Sequence, residues 1–349
     1  MVKQAGELVA TGQMLITHEH PRGSGSECRR LTDLIVHFKN YRTLSGSTEK
    51  MVSRVGDGSI ITRFDKTPIP HGPNDVVCPH FLELKWATGC PYACAWCYLQ
   101  GTFRFLECRT RPRPKDFEKV KVHLTALFQG DGTRAELLNA GELSDSMITE
   151  TGRVPFTRFV MDLLSQQKVH RVLFVTKSPA VGNLLEVENK RQAVVSFSLN
   201  AEVVANRWEK APKVAERIKA AELLKDAGFE VRIRIDPMVP VEGWEDAYGQ
   251  LLDGIFARFR PDRITLGSLR GLQSTINNAG DKSWTEYLGE TSNWGKKIPI
   301  ATRRRMYESV ISKLKCDFRY RNVALCKETV QLWQELGMDY TEIRCNCTI

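Results

Sequence analysis

The 349-residue chain has no apolar run of the eighteen or so residues needed to span a bilayer. Its first residues, MVKQAGELVATGQ, lack the apolar core of a signal peptide. A cytoplasmic protein without a membrane partner is therefore the expectation. No internal repeat or low-complexity run occurs, which excludes solenoids and fibrous classes. Cysteine is absent from the whole stretch between Cys108 and Cys316. In a reducing compartment the ten cysteines outside that gap read as thiols and metal ligands rather than disulfides. Acidic residues are the scarcer charge: 50 Lys+Arg against 41 Asp+Glu leave a formal charge of +9. That balance suits a polyanionic partner such as nucleic acid, although many basic proteins bind none.

What is present is concentrated in one stretch, TGCPYACAWCYLQG, from Thr88 to Gly101. Cys90, Cys94 and Cys97 are spaced C-x3-C-x2-C, so a tight loop can aim three thiolates at one point. Soft thiolates favour iron-sulfur clusters or zinc. Four-iron clusters normally take four cysteines, so a group of three leaves one iron open to a substrate or cofactor. Zinc sites usually pair two C-x2-C knuckles, and no second knuckle lies nearby.

Alternating helix and strand signals follow. Leu82, Leu84 and Trp86 alternate with Glu83, Lys85 and Ala87, a strand period that runs directly into the cysteine loop. Helices are expected over 114–128, 155–167, 213–227, 245–259 and 302–314. Strands are expected over 135–143, 171–177, 193–201, 230–239 and 263–270. Six βα units predict an α/β fold with a parallel sheet and outer helices. Six strands cannot close as tightly as eight, which makes it a partial (β/α)6 barrel with the cysteine loop at its mouth. The expected division is an irregular N-terminal arm over 1–78, a core over 79–314, and an extension over 315–349 carrying Cys316, Cys326, Cys345 and Cys347. Residues 271–300 are polar and rich in Gly and Asn, and read as a long loop. His18 and His20 form a weak metal pair with no third ligand, and Cys28 reads as a free thiol.

The three-cysteine loop, with Trp96 before and Tyr98 after the third cysteine, resembles the radical S-adenosylmethionine (SAM) enzymes, whose fold is a partial barrel of this type. The fuller phrase ATGCPYACAWCYLQG is similar to the spore photoproduct lyase family. The resemblance covers roughly Phe81 to Arg270 and implies a [4Fe-4S] cluster on Cys90, Cys94 and Cys97. Its open iron would chelate SAM, and electron transfer would cleave SAM to a 5′-deoxyadenosyl radical. Trp96 and Tyr98 would then border the cofactor. Ala140-Gly141-Glu142 looks like a one-residue variant of the superfamily's Gly-Gly-Glu, which implies that Glu142 receives the SAM amino group by a charge-assisted hydrogen bond. Lys177 in FVTK matches the lysine implied to pair with the SAM carboxylate. Ser198 and Asn200 in SFSLNAE match positions implied to bond the ribose or carboxylate. EGWEDAY (242–248) is a further match. An external electron donor, flavodoxin- or ferredoxin-like, is implied as a partner.

Within the strand at 230–239, Val231, Ile233 and Ile235 alternate with Arg232, Arg234 and Asp236. The apolar set suits the helix side, so the charged set points inward, and Arg234 and Asp236 are expected to line the site with catalytic roles beside Tyr98 and Glu142. A local Arg234–Asp236 salt bridge is the plainer reading. The family carries a hydrogen-donor cysteine where Glu142 stands here, so the fate of the radical is open between repair and base modification. Cys326, Cys345 and Cys347, with Cys316 as a fourth, suit an auxiliary iron-sulfur cluster or a zinc; free thiols, one a replacement hydrogen donor, are the other reading. Basic clusters at 109–113 and 303–305 are candidates for phosphate contacts or ordinary solvated charge. The leading expectation is a radical SAM enzyme acting on a nucleobase or nucleic acid. Radical modification of a peptide is the alternative, and a non-catalytic metal-stabilised nucleic-acid-binding protein is the third.

Overall fold

Short apolar runs that can be buried on both faces dictate a central parallel sheet, and the computed structural model, which describes residues 34–349, contains one. Its ten strands are β1 (Val36–Arg42), β2 (Thr48–Val55), β3 (Ile61–Phe64), β4 (Phe81–Leu84), β5 (Leu137–Asn139), β6 (Arg171–Thr176), β7 (Ala193–Leu199), β8 (Glu230–Met238), β9 (Arg263–Ser268) and β10 (Val323–Leu325). They lie side by side in chain order. From β4 to β10 every pairing is parallel. Every residue of β7 is buried, as expected of a strand covered on both faces.

Between the strands run the longer helices α1 (Phe117–Gln129), α2 (Phe156–Leu164), α3 (Val214–Asp226), α4 (Trp244–Phe256) and α5 (Ile300–Cys316). Local chemistry sets their ends. The Asp116 carboxylate accepts from the Glu118 amide at the start of α1, and the α3 segment stops at Gly228 with φ +90°. Between β4 and α2, Trp86 stacks on Phe156 with ring centroids 3.7 Å apart and donates to the Ala140 carbonyl at 2.9 Å. One buried indole thus ties the core to the backbone that precedes Glu142.

Three expectations change. Residues 36–64, expected irregular, form β1–β3, an antiparallel extension joined to β4. Their sequences alternate too weakly to announce strands, and β1 keeps only Tyr41 buried; pairing with a preformed edge supplies what the pattern lacks. The extension after 315 adds β10 as a seventh parallel strand. The supposed loop at 271–300 contains a helix, Gln273–Asn278, and a small sheet of Arg270–Gly271, Glu290–Ser292 and Gly295–Lys297. His18, His20 and Cys28 lie outside the described residues.

The sheet is open, with no ladder joining its first and last strands. The two borders of its parallel part are nevertheless stitched together. Val77 donates to the Glu328 carbonyl at 2.8 Å, Val330 donates to the Asp75 carbonyl at 3.0 Å, and Val76 bridges Thr329. Segments 75–77 and 328–330 therefore sit together although most of the chain runs between them.

Candidate active site

The cysteine loop is shaped by backbone. Gly89 has φ +84°, and a Cβ there would lie 2.4 Å from the Arg111 carbonyl oxygen, so no other residue fits. Its amide donates to Leu143 at 3.0 Å, and its carbonyl accepts from the Ser144 hydroxyl at 2.6 Å. Gln100 clamps the Cys94 and Ala95 carbonyls at 2.7 and 3.0 Å. The three thiols consequently face a cavity of about 390 Å³ that is also lined by Glu142, Lys177, Ser198, Arg234 and Asp236. Burial, with Asp145 nearby, pushes the Cys90 thiol up to about 12, and burial raises Cys94 and Cys97 as well. Three soft donors on one loop, desolvated and facing a cavity, fit a thiolate-ligated cluster, whose charge would reverse that protonation.

Glu142 is held from two sides. The Tyr98 hydroxyl bonds its carbonyl and lies 3.2 Å from Oε2, and Asn139 Nδ2 donates to Oε1 at 2.9 Å. Gly141, just before Glu142, packs against Val175, which a Cβ there would meet at 2.5 Å. Trp96 also lines the cavity and packs edge-on against Trp208 at 5.7 Å.

Lys177 reaches the cavity but already has a counter-ion. Its Nζ is 2.8 Å from Glu209 Oε1, and Arg217 holds Oε2 at the same distance. Burial would lower Lys177, yet Glu209 outweighs it and the net shift is upward, so the ammonium stays charged.

Asn200 sits apart from these residues. It lies outside the cavity and is fully buried: Nδ2 donates to the Pro237 carbonyl at 2.8 Å and Oδ1 accepts from the Tyr248 hydroxyl at 2.9 Å. The chain turns into the core immediately after β7, so its last inward-facing side chain is Ser198.

The Arg234–Asp236 pairing does not form. Asp236 is held bidentately by Arg270 at 2.8 and 3.0 Å. Burial works to raise its carboxyl, but Arg270 prevails and holds it below the ordinary range. Gly267 makes room, because a Cβ there would fall 2.4 Å from Asp236 Oδ1. Arg234 instead donates to the Cys347 sulfur at 3.1 Å.

Cys347 is there because the C-terminal tail enters the cavity wall. Asn346 is fully buried and bonds Thr265, Ser196 and the Ile233 carbonyl at 2.8–3.0 Å. Arg232 and Arg263 cap the carbonyls of Cys345, Asn346 and Thr348. Cys326, Cys345 and Cys347 all line the cavity, whereas Cys316 is exposed at the end of α5 and cannot be their fourth partner. Among the described residues, no three His, Cys, Asp or Glu are gathered tightly enough to hold one metal ion.

Sequence reasoning missed Glu83, a cavity carboxylate raised by burial and then by Glu142. Its signal was the alternation of β4, where it is the one acidic residue. Cys78 was also missed, and nothing local marked it. In the basic cluster at 303–305 Arg303 is buried against Glu328 and Glu290, while Arg304 faces Glu308 and Glu335 and Arg305 faces Glu245, both still exposed. In the other cluster Arg109 is spent on the Gln100 and Asn278 carbonyls, leaving Arg111 and Arg113 exposed.

No helix among the described residues is long and apolar enough to cross a membrane. The spore photoproduct lyase family model matches residues 80–266, more than half of the chain. The spore photoproduct lyase of Bacillus subtilis (strain 168) is 27% identical over 182 residues, and that of Clostridium acetobutylicum 22% over 178. The matches take in 51% and 49% of this chain, and the chain spans 52% and 50% of those relatives' length. Among solved structures, a spore photoproduct lyase complexed with dinucleoside spore photoproduct aligns with a TM-score of 0.60 at 17% identity, over 70% of this chain and 75% of that one. A doubly substituted spore photoproduct lyase mutant with bound AdoMet and the same dinucleoside gives 0.59 at 17% identity, over 71% and 76%. Those structures share the open parallel fold, and on the family match the chain belongs to the spore photoproduct lyase family.

Proposed function

We propose that this protein is a radical SAM enzyme that abstracts a hydrogen atom from a nucleobase or nucleic-acid substrate. The observation that carries the reading is the meeting, on one cavity, of the three-thiol loop with Glu142, Lys177, Ser198, Arg234 and Asp236. A [4Fe-4S] cluster held by Cys90, Cys94 and Cys97 would supply the electron that cleaves SAM. Glu142, kept in place by Tyr98 and Asn139, receives the SAM ammonium. Lys177 and Ser198 face the carboxylate and ribose, and Glu209 keeps Lys177 charged and oriented. The relatives' bound ligands, a dinucleoside and AdoMet, support a nucleotide substrate, as do the net charge of +9 and the free arginines at 111 and 113. A flavodoxin- or ferredoxin-like donor would deliver the electron. A base in duplex DNA must be extruded to reach such a cavity.

Base modification is favoured over dimer repair, because Glu142 occupies the position of the family's thiol and a carboxylate does not return a hydrogen atom. The test is anaerobic incubation of cluster-loaded protein with SAM, reductant and oligonucleotides carrying either thymine dimers or modified bases. Formation of 5′-deoxyadenosine is expected. Its absence with an intact cluster and several reductants would sink the enzyme reading, and clean restoration of thymines would overturn modification.

A further inference from the structure

We infer that Cys78, Cys326, Cys345 and Cys347 form a second thiolate site that takes a four-iron cluster. The described residues hold nine cysteines, all free. Three are on the loop, and Cys108 and Cys316 are exposed. The remaining four all line the cavity. They arrive from three distant segments: the strand-to-strand link before β4, the turn after β10, and the C-terminal tail.

Each is delivered by architecture that fixes its place. The stitching of 75–77 to 328–330 brings Cys78 beside the segment that carries Cys326, whose amide donates to Leu266 at 2.6 Å. Cys345 and Cys347 flank Asn346, the fully buried residue through which Ser196, Thr265 and Ile233 grip the tail.

Cations stand closest to these sulfurs, while Glu142 and Asp236 act on Arg234 only from beyond ion-pair distance. Arg234 Nη2 is 3.1 Å from Cys347 Sγ, its Nε is buried without a partner, and no carboxylate lies within ion-pair distance of it among the described residues. Lys327, next to Cys326, likewise has no carboxylate partner there and lies over the rings of Trp294 and Phe64 at 3.8 and 4.5 Å. Arg270, neutralised by Asp236, adds an N–H to Cys326 Sγ at 3.6 Å. Partly buried cations held by sulfur and ring contacts rather than by carboxylates favour a nearby anion. Four thiolates around a dipositive four-iron core carry a net charge of about −2, which two cations balance. N–H···S contacts of this kind also raise the potential of such a cluster.

Soft thiolates select iron-sulfur clusters or zinc. Zinc sites gather their ligands around a single ion, and among the described residues no three His, Cys, Asp or Glu are grouped to hold one, the loop cysteines included. A cubane spreads its cysteines over the corners of a larger body, so that absence does not count against one at either set. With four cysteines no iron is left open, so SAM does not bind at this second site. Asn139, which bonds Glu142 at 2.9 Å and lies 3.7 Å from Cys347 Sγ, sets it beside the first.

The proposal is tested by anaerobic reconstitution of the full chain with iron and sulfide. Wild type should hold about eight irons and eight sulfides. Cys90→Ala/Cys94→Ala/Cys97→Ala should keep about half of them, with an electron spin resonance signal indifferent to SAM. Cys326→Ala/Cys347→Ala should keep the other half, with a signal that SAM perturbs. If the tail variant fails to fold, the loop variant decides alone, because its tail is intact. Four irons in wild type with none in the loop variant, or zinc in place of iron, overturns the second site. Loss of SAM perturbation from the loop cluster would instead refute the proposed enzyme and leave the second site standing.

Discussion

Glu209→Gln is the substitution on which the energetics bear most directly. The Glu209 side chain is fully buried between Lys177 and Arg217, themselves 14% and 1% exposed. Glutamine keeps the shape and one acceptor but removes the carboxylate that, among the described residues, pairs with both buried cations. Removing one partner from a buried ion-pair cluster costs about 3–5 kcal/mol, or roughly a 4–7 °C fall in Tm for a protein of this size. The pH dependence is also determined. Burial alone would raise Glu209, but Lys177 and Arg217 outweigh it and its folded pKa lies below the ordinary 4.5. A depressed carboxyl contributes stability that is full above 4.5 and is lost as pH falls through the folded value. Urea unfolding of both proteins should therefore show a constant gap near neutrality that narrows in acid below 4.5. Adding Lys177→Met should recover part of the loss, because one unpaired cation is gone. A gap under about 0.5 kcal/mol at neutral pH, within the range of ordinary surface substitutions, would refute the counter-ion role.

Asn200→Ala should lower stability by about 1–3 kcal/mol, since Tyr248 and Pro237 lose a buried partner, while SAM affinity measured by equilibrium dialysis stays near wild type. A large loss of SAM affinity in a folded variant would return Asn200 to the cofactor site. Gly267→Ala should push a methyl into Asp236 and break its bidentate pair with Arg270; 5′-deoxyadenosine yield with substrate should drop while substrate-free SAM binding persists, and unchanged turnover would remove Asp236 from the substrate wall. Arg111→Ala/Arg113→Ala should weaken oligonucleotide binding uniformly across sequences and flatten the log Kd against log salt slope by up to about 2, whereas Arg305→Ala, whose residue already faces Glu245, should leave that slope unchanged.

Legibility followed chain distance. The cysteine loop could be read because its three thiols sit within eight residues, whereas Glu142, Lys177 and Ser198 were named by the family resemblance of their short motifs, all of which fall near strand ends. Asn200, named only by motif resemblance, lies one residue past the end of β7 at Leu199, and Tyr248 and Pro237 take its amide. Arg303 read as a surface basic residue because the carboxylate that neutralises it, Glu328, lies 25 positions away.

By itself the sequence determined the parallel α/β architecture, the three-thiol loop and the inward charge of β8, since each depends on spacings shorter than one element. Only the tertiary structure decided that Asp236 answers to Arg270, that Lys177 shares Glu209 with Arg217, and that Cys78, Cys326, Cys345 and Cys347 face one cavity. Those pairings are choices among many residues of the same charge or chemistry. What selects one partner over another is the packing that brings residues 75–77, 326–330 and 344–349 to the same end of the sheet.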